Sequence, residues 1–268
     1  MTLFHDVLHA VMAKRIVIRE RDSGDLLVDQ RFLNLAEALE AAAAGKTPLP
    51  RADLSKADLS NAWLNRLRLP EVDLRGADVS GATLNYAEMQ RGLLCGITAQ
   101  GADAKRMRIE AADLSGGTWV ESQMQGCIGP GSLWVKADIR AVDLTGAKLV
   151  GADMRDLVAR QVNLTRADLS NANLSGADLR GARLDRTNLS GANLSGARID
   201  EAMVSGNVNW RGADLTDLSH EDILPHNPVR PRAPLTARRD PKRGFIWISE
   251  DAATVQWPPP PPEQTEVA

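Results

Sequence analysis

The chain has 268 residues, of which 25% are charged and only 4% are aromatic, and its formal net charge is −3. So few aromatic side chains suit a narrow core of aliphatic residues. No apolar stretch is long enough to cross a membrane. The first residues, MTLFHDVLHAVMAKR, carry histidines and an acid where a signal peptide needs an apolar segment. We therefore expect a cytoplasmic protein, or one incorporated into a particle that is assembled in the cytoplasm.

Residues 1–50 are predicted to form a small α+β unit. The apolar spacing over residues 2–12 is typical of a short helix. Residues 15–30 have the pattern of a β-hairpin, with two apolar runs on either side of a turn. Asn34 can then cap a second helix, which should end near Gly45.

From residue 51 the sequence repeats itself every five residues. The leucine position recurs in register from Leu54 to Val204 through 31 units, and after a break at Asn209 the pattern reappears one residue late, at Leu215. A period of five matches neither the turn of a helix nor the alternation of a strand. Each Ala-x-Leu should therefore form a short extended side with two inward residues, and the next two residues should turn the chain. Repeated corners of this kind wind a chain into a solenoid.

The pattern A-(D/N)-L-x-x, as in Ala52-Asp53-Leu54-Ser55-Lys56, resembles that of the pentapeptide-repeat family over residues 51–219. The resemblance implies an all-β solenoid, a right-handed quadrilateral β-helix in which four units make one coil. At a spacing of about 4.8 Å, nearly eight coils make a rod roughly 37 Å long. Residues 1–50 are then expected to cap the open end of the rod, which would otherwise expose unpaired strand edges.

Two tryptophans, Trp119 and Trp134, occupy the inward leucine position in the irregular middle of the rod. Small residues accompany them, because Trp119 would stack over Ala99, while Trp134 follows Gly129 and has Ser132 as its inward partner. An exchange of large and small residues keeps the interior volume constant, which favours the four-unit coil. The alternative is that one or both tryptophans turn outward and the coil bulges there.

Residues 220–268 are predicted to form an extended C-terminal arm. Residues 225–243 are rich in proline and arginine. This basic run could contact nucleic-acid phosphates or an acidic partner, but a solvated linker is favoured because no stacking aromatics are interleaved. Four apolar residues then form a lone strand: Phe245, Ile246, Trp247 and Ile248. Because a single strand is unstable in water, it should pack on the rod or add to a partner's sheet.

Neither a catalytic residue, nor a metal site, nor a cofactor is predicted. His5 and His9 have the spacing of two zinc ligands on a helix, but no third ligand is evident and structural histidines are favoured. Eleven aspartates precede inward positions, among them Asp53 and Asp168. That position should face solvent beside a turn, and a filled interior would leave no pocket for acid–base chemistry.

The candidate protein-binding surface is apolar. Six apolar residues should point outward from the middle coils: Leu93, Val120, Ile128, Leu133, Val135 and Val158. Exposed apolar patches usually mark contact sites, and Leu93 and Leu133 should share one side of the rod. Two occupants are open: a partner protein, or the chain's own apolar strand or N-terminal helix folded back over the patch.

The predicted function is a non-enzymatic rigid scaffold for protein–protein interaction, such as a structural component of a phage particle or injection apparatus. The arm could also join copies of the chain, whereas nucleic acid and membranes are not expected partners. The resemblance supplies a competing hypothesis, since pentapeptide-repeat proteins linked to quinolone resistance bind DNA gyrase by imitating acidic duplex DNA. Residues 51–219 hold 21 acids and 20 bases, and so nearly neutral a rod argues against a topoisomerase-binding regulator.

Overall fold

The structure of the protein is a computed structural model that describes residues 12–204, 208–218, 235–240 and 244–249. The helix predicted over residues 2–12 lies outside these ranges except for its last residue. The described part begins with a β-hairpin and a helix, continues as a long β-helix and ends with a second hairpin.

The N-terminal unit consists of strands β1 (Lys14–Arg19) and β2 (Leu26–Phe32), which pair antiparallel, and helix α1 (Leu35–Ala44). Alternating apolar residues in β1 leave Ile18 almost completely buried. The Asn34 side chain caps α1 by accepting a hydrogen bond from the Glu37 amide at 2.9 Å.

The repeat region forms a parallel β-helix with twenty residues in each coil. Four ladders of parallel bridges run along it, and their first bridges are Asp53–Asp73 on side A, Asp58–Asp78 on side B, Trp63–Thr83 on side C and Arg68–Glu88 on side D. The chain visits these sides in order, so side A lies opposite side C and side B lies opposite side D. The predicted β-helix with four units per coil is confirmed.

Each unit has two inward residues, one outward residue and two corner residues. In the first unit Ala52 and Leu54 are buried, Asp53 points outward, and Ser55 and Lys56 form the first and second corner positions. The Ala57 amide donates to the Leu54 carbonyl at 3.1 Å and closes the turn. Lys56, in the second corner position, has a φ of 56°, which is the left-handed conformation. Between coils, the Leu54 amide donates to the Asp73 carbonyl at 2.8 Å.

The interior is filled by alanine and leucine, and it also accommodates both tryptophans. Trp119 and Trp134 are fully buried, and their ring centroids lie 6.3 Å apart. The Trp134 indole Nε1 donates to Ser132 Oγ at 2.7 Å. Gly117 lies beside the other ring, where an added Cβ would come within 3.2 Å of Trp119 Nε1. Small residues therefore leave room for each large one, and neither tryptophan turns outward.

The N-terminal unit contacts the first coil of the β-helix. The Asp53 amide donates to the Arg19 carbonyl at 2.8 Å, and Glu20 pairs antiparallel with Ala52. Leu39 of α1 is fully buried in the same apolar cluster as the inward residues of the coils. These contacts supply backbone partners and apolar cover for a strand edge that would otherwise be open.

The ladders continue past a one-residue insertion near the far end. Asn188 pairs with Asn209, twenty-one residues later, whereas Arg183 pairs with Met203 at the usual twenty. The extra residue therefore lies between Met203 and Asn209. Val208 and Trp210 are both buried, so the register already resumes at Val208, one unit earlier than the sequence pattern indicates.

The apolar strand of the C-terminal arm pairs with a second strand of the arm. The prediction that it is a lone strand is therefore wrong. Strand β4 (Gly244–Ser249) pairs antiparallel with strand β3 (Leu235–Asp240), and the register places Phe245 opposite Arg239 and Trp247 opposite Ala237. Pairing satisfies backbone groups that a lone strand would leave open. Part of the proline- and arginine-rich segment therefore forms a strand rather than a linker.

Candidate protein-interaction site

The outward aspartates serve the turns of the β-helix. Asp53 Oδ1 accepts hydrogen bonds from the Ser55 amide at 3.1 Å and from the Ser55 hydroxyl at 2.7 Å. Asp153 makes the same bond to the Arg155 amide, and its carboxylate lies 2.7 Å from the Arg155 guanidinium. The hydrogen bond from Arg155 lowers the pKa of Asp153. Both carboxylates are therefore engaged by their own turns, which suits turn formation rather than proton transfer.

Neither the histidines nor the cysteines form a described site. His5 and His9 lie outside the described residues, and within the described ranges no group of His, Cys, Asp and Glu is arranged to hold a metal ion. Cys95 and Cys127 are both free. Burial raises the pKa of the Cys127 thiol to about 12, so that sulfur stays protonated and behaves as a small apolar residue.

Three of the six predicted apolar residues lie together on side A. Leu93 and Leu133 belong to the same ladder, with Asp113 between them, which places the two leucines two coils, about 10 Å, apart. Val135 occupies the first corner position that follows Leu133. Leu133 is 40% exposed, whereas Leu93 and Val135 are half-buried. We call Leu93, Leu133 and Val135 the side-A patch.

The other three residues do not join this patch. Val158 belongs to the side-B ladder between Asp138 and Asp178, and Val120 occupies a first corner position of side B. Ile128 lies on side D, opposite side B, where it pairs with Arg108 and Lys148. The predicted cluster is therefore divided among three sides of the rod.

A shallow groove of about 480 Å³ runs along the corner after side B, beside Val120. Arg140, Arg160 and Arg180 line it in successive coils. Val158 stands where an aspartate would pair with Arg160, so Arg160 reaches the next coil and shares Asp178 with Arg180, with both N–O distances at 2.7 Å. The groove is lined by guanidinium groups that already have carboxylate partners.

Larger exposed side chains lie elsewhere on the rod and were not among the predicted site residues. Trp63 is 74% exposed, Tyr86 47% and Met203 43%. Trp63 and Met203 hold outward positions of side C, so the rule that identified Leu133 could also have found them. Tyr86 occupies a second corner position, whereas the six predicted residues hold only outward and first corner positions.

The apolar residues predicted for partner binding in the arm lie in β4. Phe245, Ile246, Trp247 and Ile248 are consecutive residues of this strand and pair with Arg239, Arg238, Ala237 and Thr236. They therefore belong to a two-stranded hairpin, which is a weakly stable unit on its own.

Comparisons with known proteins agree with the repeat. The model of the pentapeptide-repeat family matches eight copies, at residues 52–91, 137–176 and 163–200. A search of curated proteins found no significant match. Within the described residues, no helix is long and apolar enough to cross a membrane.

Three solved structures illustrate the similarity. A pentapeptide repeat protein from the Arabidopsis thaliana thylakoid lumen is 25% identical, over 36% of this chain and 67% of its own, with a TM-score of 0.35. HetL, involved in heterocyst differentiation regulation in the cyanobacterium Nostoc sp. strain PCC 7120, is 27% identical over 74% of this chain and 99% of its own, with a TM-score of 0.29. QnrB1, a plasmid-mediated fluoroquinolone resistance protein, is 18% identical over 55% of this chain and 78% of its own, with a TM-score of 0.26.

Proposed function

The chain belongs to the pentapeptide-repeat family, and we propose that it is a non-enzymatic, rigid scaffold that binds a partner protein through the side-A patch. The observation that carries this proposal is the pair of outward leucines, Leu93 and Leu133, on a ladder that otherwise presents aspartate and asparagine. Aspartate in this position caps its own turn, so leucine gives up a favourable hydrogen bond and has to be explained by another contact.

The rod is well suited to hold such a patch in place. Each outward residue is bonded to the coil before it, as the Leu93 amide is to the Val72 carbonyl and the Leu93 carbonyl to the Leu74 amide, both at 2.8 Å. Its neighbours Gly92 and Leu94 are bonded to Asp113 in the coil after it. The inward residues beneath, such as Leu94 and Trp134, are fully buried. A surface held by hydrogen bonds and a packed core loses little conformational entropy when a partner binds.

The C-terminal arm supplies a second means of assembly. Strands β3 and β4 form a two-stranded antiparallel sheet, and such a unit gains stability by adding to a larger sheet or packing on an apolar surface. The arm would attach the rod to a neighbour within a larger assembly, such as a phage particle or injection apparatus formed in the cytoplasm. The alternative is that the arm covers the side-A patch of its own rod.

The competing function is binding to DNA gyrase or another topoisomerase through DNA mimicry. Sides A and B carry most of the outward aspartates, which is the one feature in its favour. First-corner arginines neutralise several of them, however, as Arg75 does Asp73 and Arg140 does Asp138, with N–O distances of 2.6 and 2.7 Å. A gyrase supercoiling assay tests this function, and inhibition by the purified protein would favour it.

Affinity capture with paired variants tests the scaffold proposal. Leu93→Asp with Leu133→Asp removes the apolar contacts and installs the residue that the repeat prefers, so the rod should keep its fold and its circular dichroism spectrum. The control, Thr83→Asp with Gln123→Asp, makes the same charge change at outward positions two coils apart on the opposite side.

We expect the wild-type chain and the control to capture the same protein from a lysate of the native source. The amount of this protein captured by the double leucine variant should fall at least about tenfold, because each buried leucine contributes roughly 1–2 kcal/mol to binding. Equal capture by the two double variants would contradict the role of the side-A patch.

A further inference from the structure

Four arginines in the first corner position are neutralised by the aspartate of their own unit. Arg75, Arg140, Arg155 and Arg180 each lie 2.6–2.7 Å from the aspartate two residues earlier. The outward residue and the first corner residue point to the same side of the rod, so the guanidinium folds back onto the carboxylate. The side chains of this position therefore contribute little net charge to sides A and B.

Four arginines in the second corner position after side C behave differently, and they also differ from Arg91, which holds the same position after side D and lies 2.5 Å from Glu71. Arg66, Arg106, Arg166 and Arg186 have φ values of 55–60° and are exposed, and none of them forms a salt bridge with any residue that the structure describes. Their numbers differ by whole coils of twenty residues, so all four lie along one corner, between sides C and D. This row spans six coils, or about 29 Å.

Tyr86 holds two of these arginines in a stack. The guanidinium carbons of Arg66 and Arg106 lie 5.8 and 5.6 Å from the centre of its ring, in the coils before and after it. Arg106 also donates from Nη1 to Tyr86 Oη at 3.4 Å. The stack fixes the planes of both guanidinium groups while leaving most of their N–H donors free for a ligand. We call Arg66, Tyr86, Arg106, Arg166 and Arg186 the basic edge.

The acids nearest to the stack already have partners. Glu88 lies 3.2 Å from Arg68, Asp103 lies 3.0 Å from Lys105 and Glu110 lies 2.7 Å from Arg108. These pairs are neutral as units, so the charge of Arg66 and Arg106 is not cancelled locally. The corner between sides C and D therefore has an uncompensated positive potential, although the net charge of the whole rod is near zero.

We propose that the basic edge binds an acidic polypeptide segment in extended conformation. This is a second interaction surface, on the far side of the rod from the side-A patch and independent of it. Trp63, 74% exposed on side C in the coil of Arg66, adds a large apolar anchor. Tryptophan, tyrosine and arginine are the residues that most often dominate the binding energy of protein interfaces.

The geometry favours a polypeptide over a nucleic acid. Guanidinium groups from the coils before and after Tyr86 lie 5.8 and 5.6 Å from its ring centre, so a base would have to displace them in order to stack on the ring. Gly126 and Gly146 take the corner between Arg106 and Arg166, which leaves about 14 Å without an arginine on the edge. A DNA strand carries a phosphate about every 3.4 Å, whereas acids in a polypeptide can be spaced to match.

Fluorescence anisotropy with a labelled peptide tests the proposal. The probe is a twelve-residue peptide of glutamate and aspartate, since about nine extended residues span the edge. The variant is Arg66→Gln with Arg106→Gln, and the matched control is Lys56→Gln with Lys136→Gln. Those lysines hold second corner positions between sides A and B, with φ of 56 and 58°. Gln161 already occupies such a position at 58°, so all four substitutions suit the backbone.

We expect the dissociation constant of the peptide to rise about fivefold or more in the arginine variant and less than twofold in the lysine control. Binding should weaken as salt increases. No binding to the wild-type chain, or equal losses in the two variants, would overturn the proposal. Tighter binding of a single-stranded oligonucleotide of equal charge, lost in the arginine variant, would replace the acidic polypeptide with a nucleic acid.

Discussion

At the scale of single residues, the second corner position decides how much strain the rod contains. Ala111 sits there with φ of 53° and Gly131, one coil later, with φ of 65°. A left-handed conformation brings the Cβ of alanine too close to its own carbonyl oxygen, which costs about 1 kcal/mol, whereas glycine adopts it freely. Alanine has no polar side chain that could offset this strain.

Replacing Ala111 by glycine should therefore stabilise the protein. We expect the free energy of unfolding to rise by about 0.5 kcal/mol or less, because the relief of strain outweighs the extra freedom of glycine in the unfolded chain. The neighbouring residue gives a matched control, since Ala112 is fully buried in an inward position. Ala112→Gly should lower the free energy of unfolding by about 1 kcal/mol. Urea denaturation measures both, and destabilisation by Ala111→Gly would contradict the strain.

The sequence gives the number of charged side chains but does not show which of them form salt bridges. The arginines at 66, 106, 180 and 186 are equivalent in a charge count, yet Arg180 is paired with Asp178 at 2.7 Å and the other three form no salt bridge among the described residues. Arg180 shares a side with the aspartate of its own unit, whereas a second-corner arginine pairs only where its own corner carries an acid in a neighbouring coil, as Arg91 does with Glu71 at 2.5 Å. The near-zero net charge of the repeat region therefore did not predict the basic edge.

At the scale of the repeat unit, the aspartate turn links folding to pH. Hydrogen bonds from Ser60 lower the pKa of Asp58, and hydrogen bonds from Arg180 and Arg160 lower the pKa of Asp178. A carboxyl whose pKa is lower in the folded state stabilises that state above its unfolded pKa, near 3.8. This stabilisation is lost as the pH falls through the folded pKa.

We expect the melting temperature to stay level from neutral pH to about pH 5 and to fall steeply below pH 4. Asn163 and Asn173 make the same turn bond, to the amides of Thr165 and Ser175 at 3.1 and 3.2 Å, without a titrating group. Asp153→Asn with Asp178→Asn should therefore reduce the acid-induced drop. Thermal unfolding followed by circular dichroism checks this, and an unchanged drop in the variant would contradict the assignment.

Secondary-structure elements could be predicted where residues close together in the sequence determine them. The five-residue period sets the β-helix, and Asn34 occurs where the structure has the cap of α1. Strand β3 was missed because Leu235–Asp240, with two arginines and an aspartate, has no apolar alternation. It forms a strand by pairing with β4, and pairing is a property of two segments that neither shows alone.

At the scale of the whole molecule, the coil determines which residues become neighbours. Leu93 and Ile128 both belong to the middle coils, but they are one coil and three units apart and lie on different sides. Leu93 and Leu133 differ by two full coils and share a ladder. The side-A patch and the basic edge lie on opposite parts of the rod, so a scaffold of this kind could hold two partners at once.

Site-specific photo-cross-linking tests the central claim that the side-A patch binds a protein. The photoreactive residue p-benzoylphenylalanine replaces Leu133 in one variant and Asn163, an outward residue of side C, in the other. Both proteins are irradiated in a lysate of the native source. The scaffold account predicts a single cross-linked adduct at position 133, with a mass not seen at position 163. No adduct at position 133, or the same adduct from both positions, would contradict it.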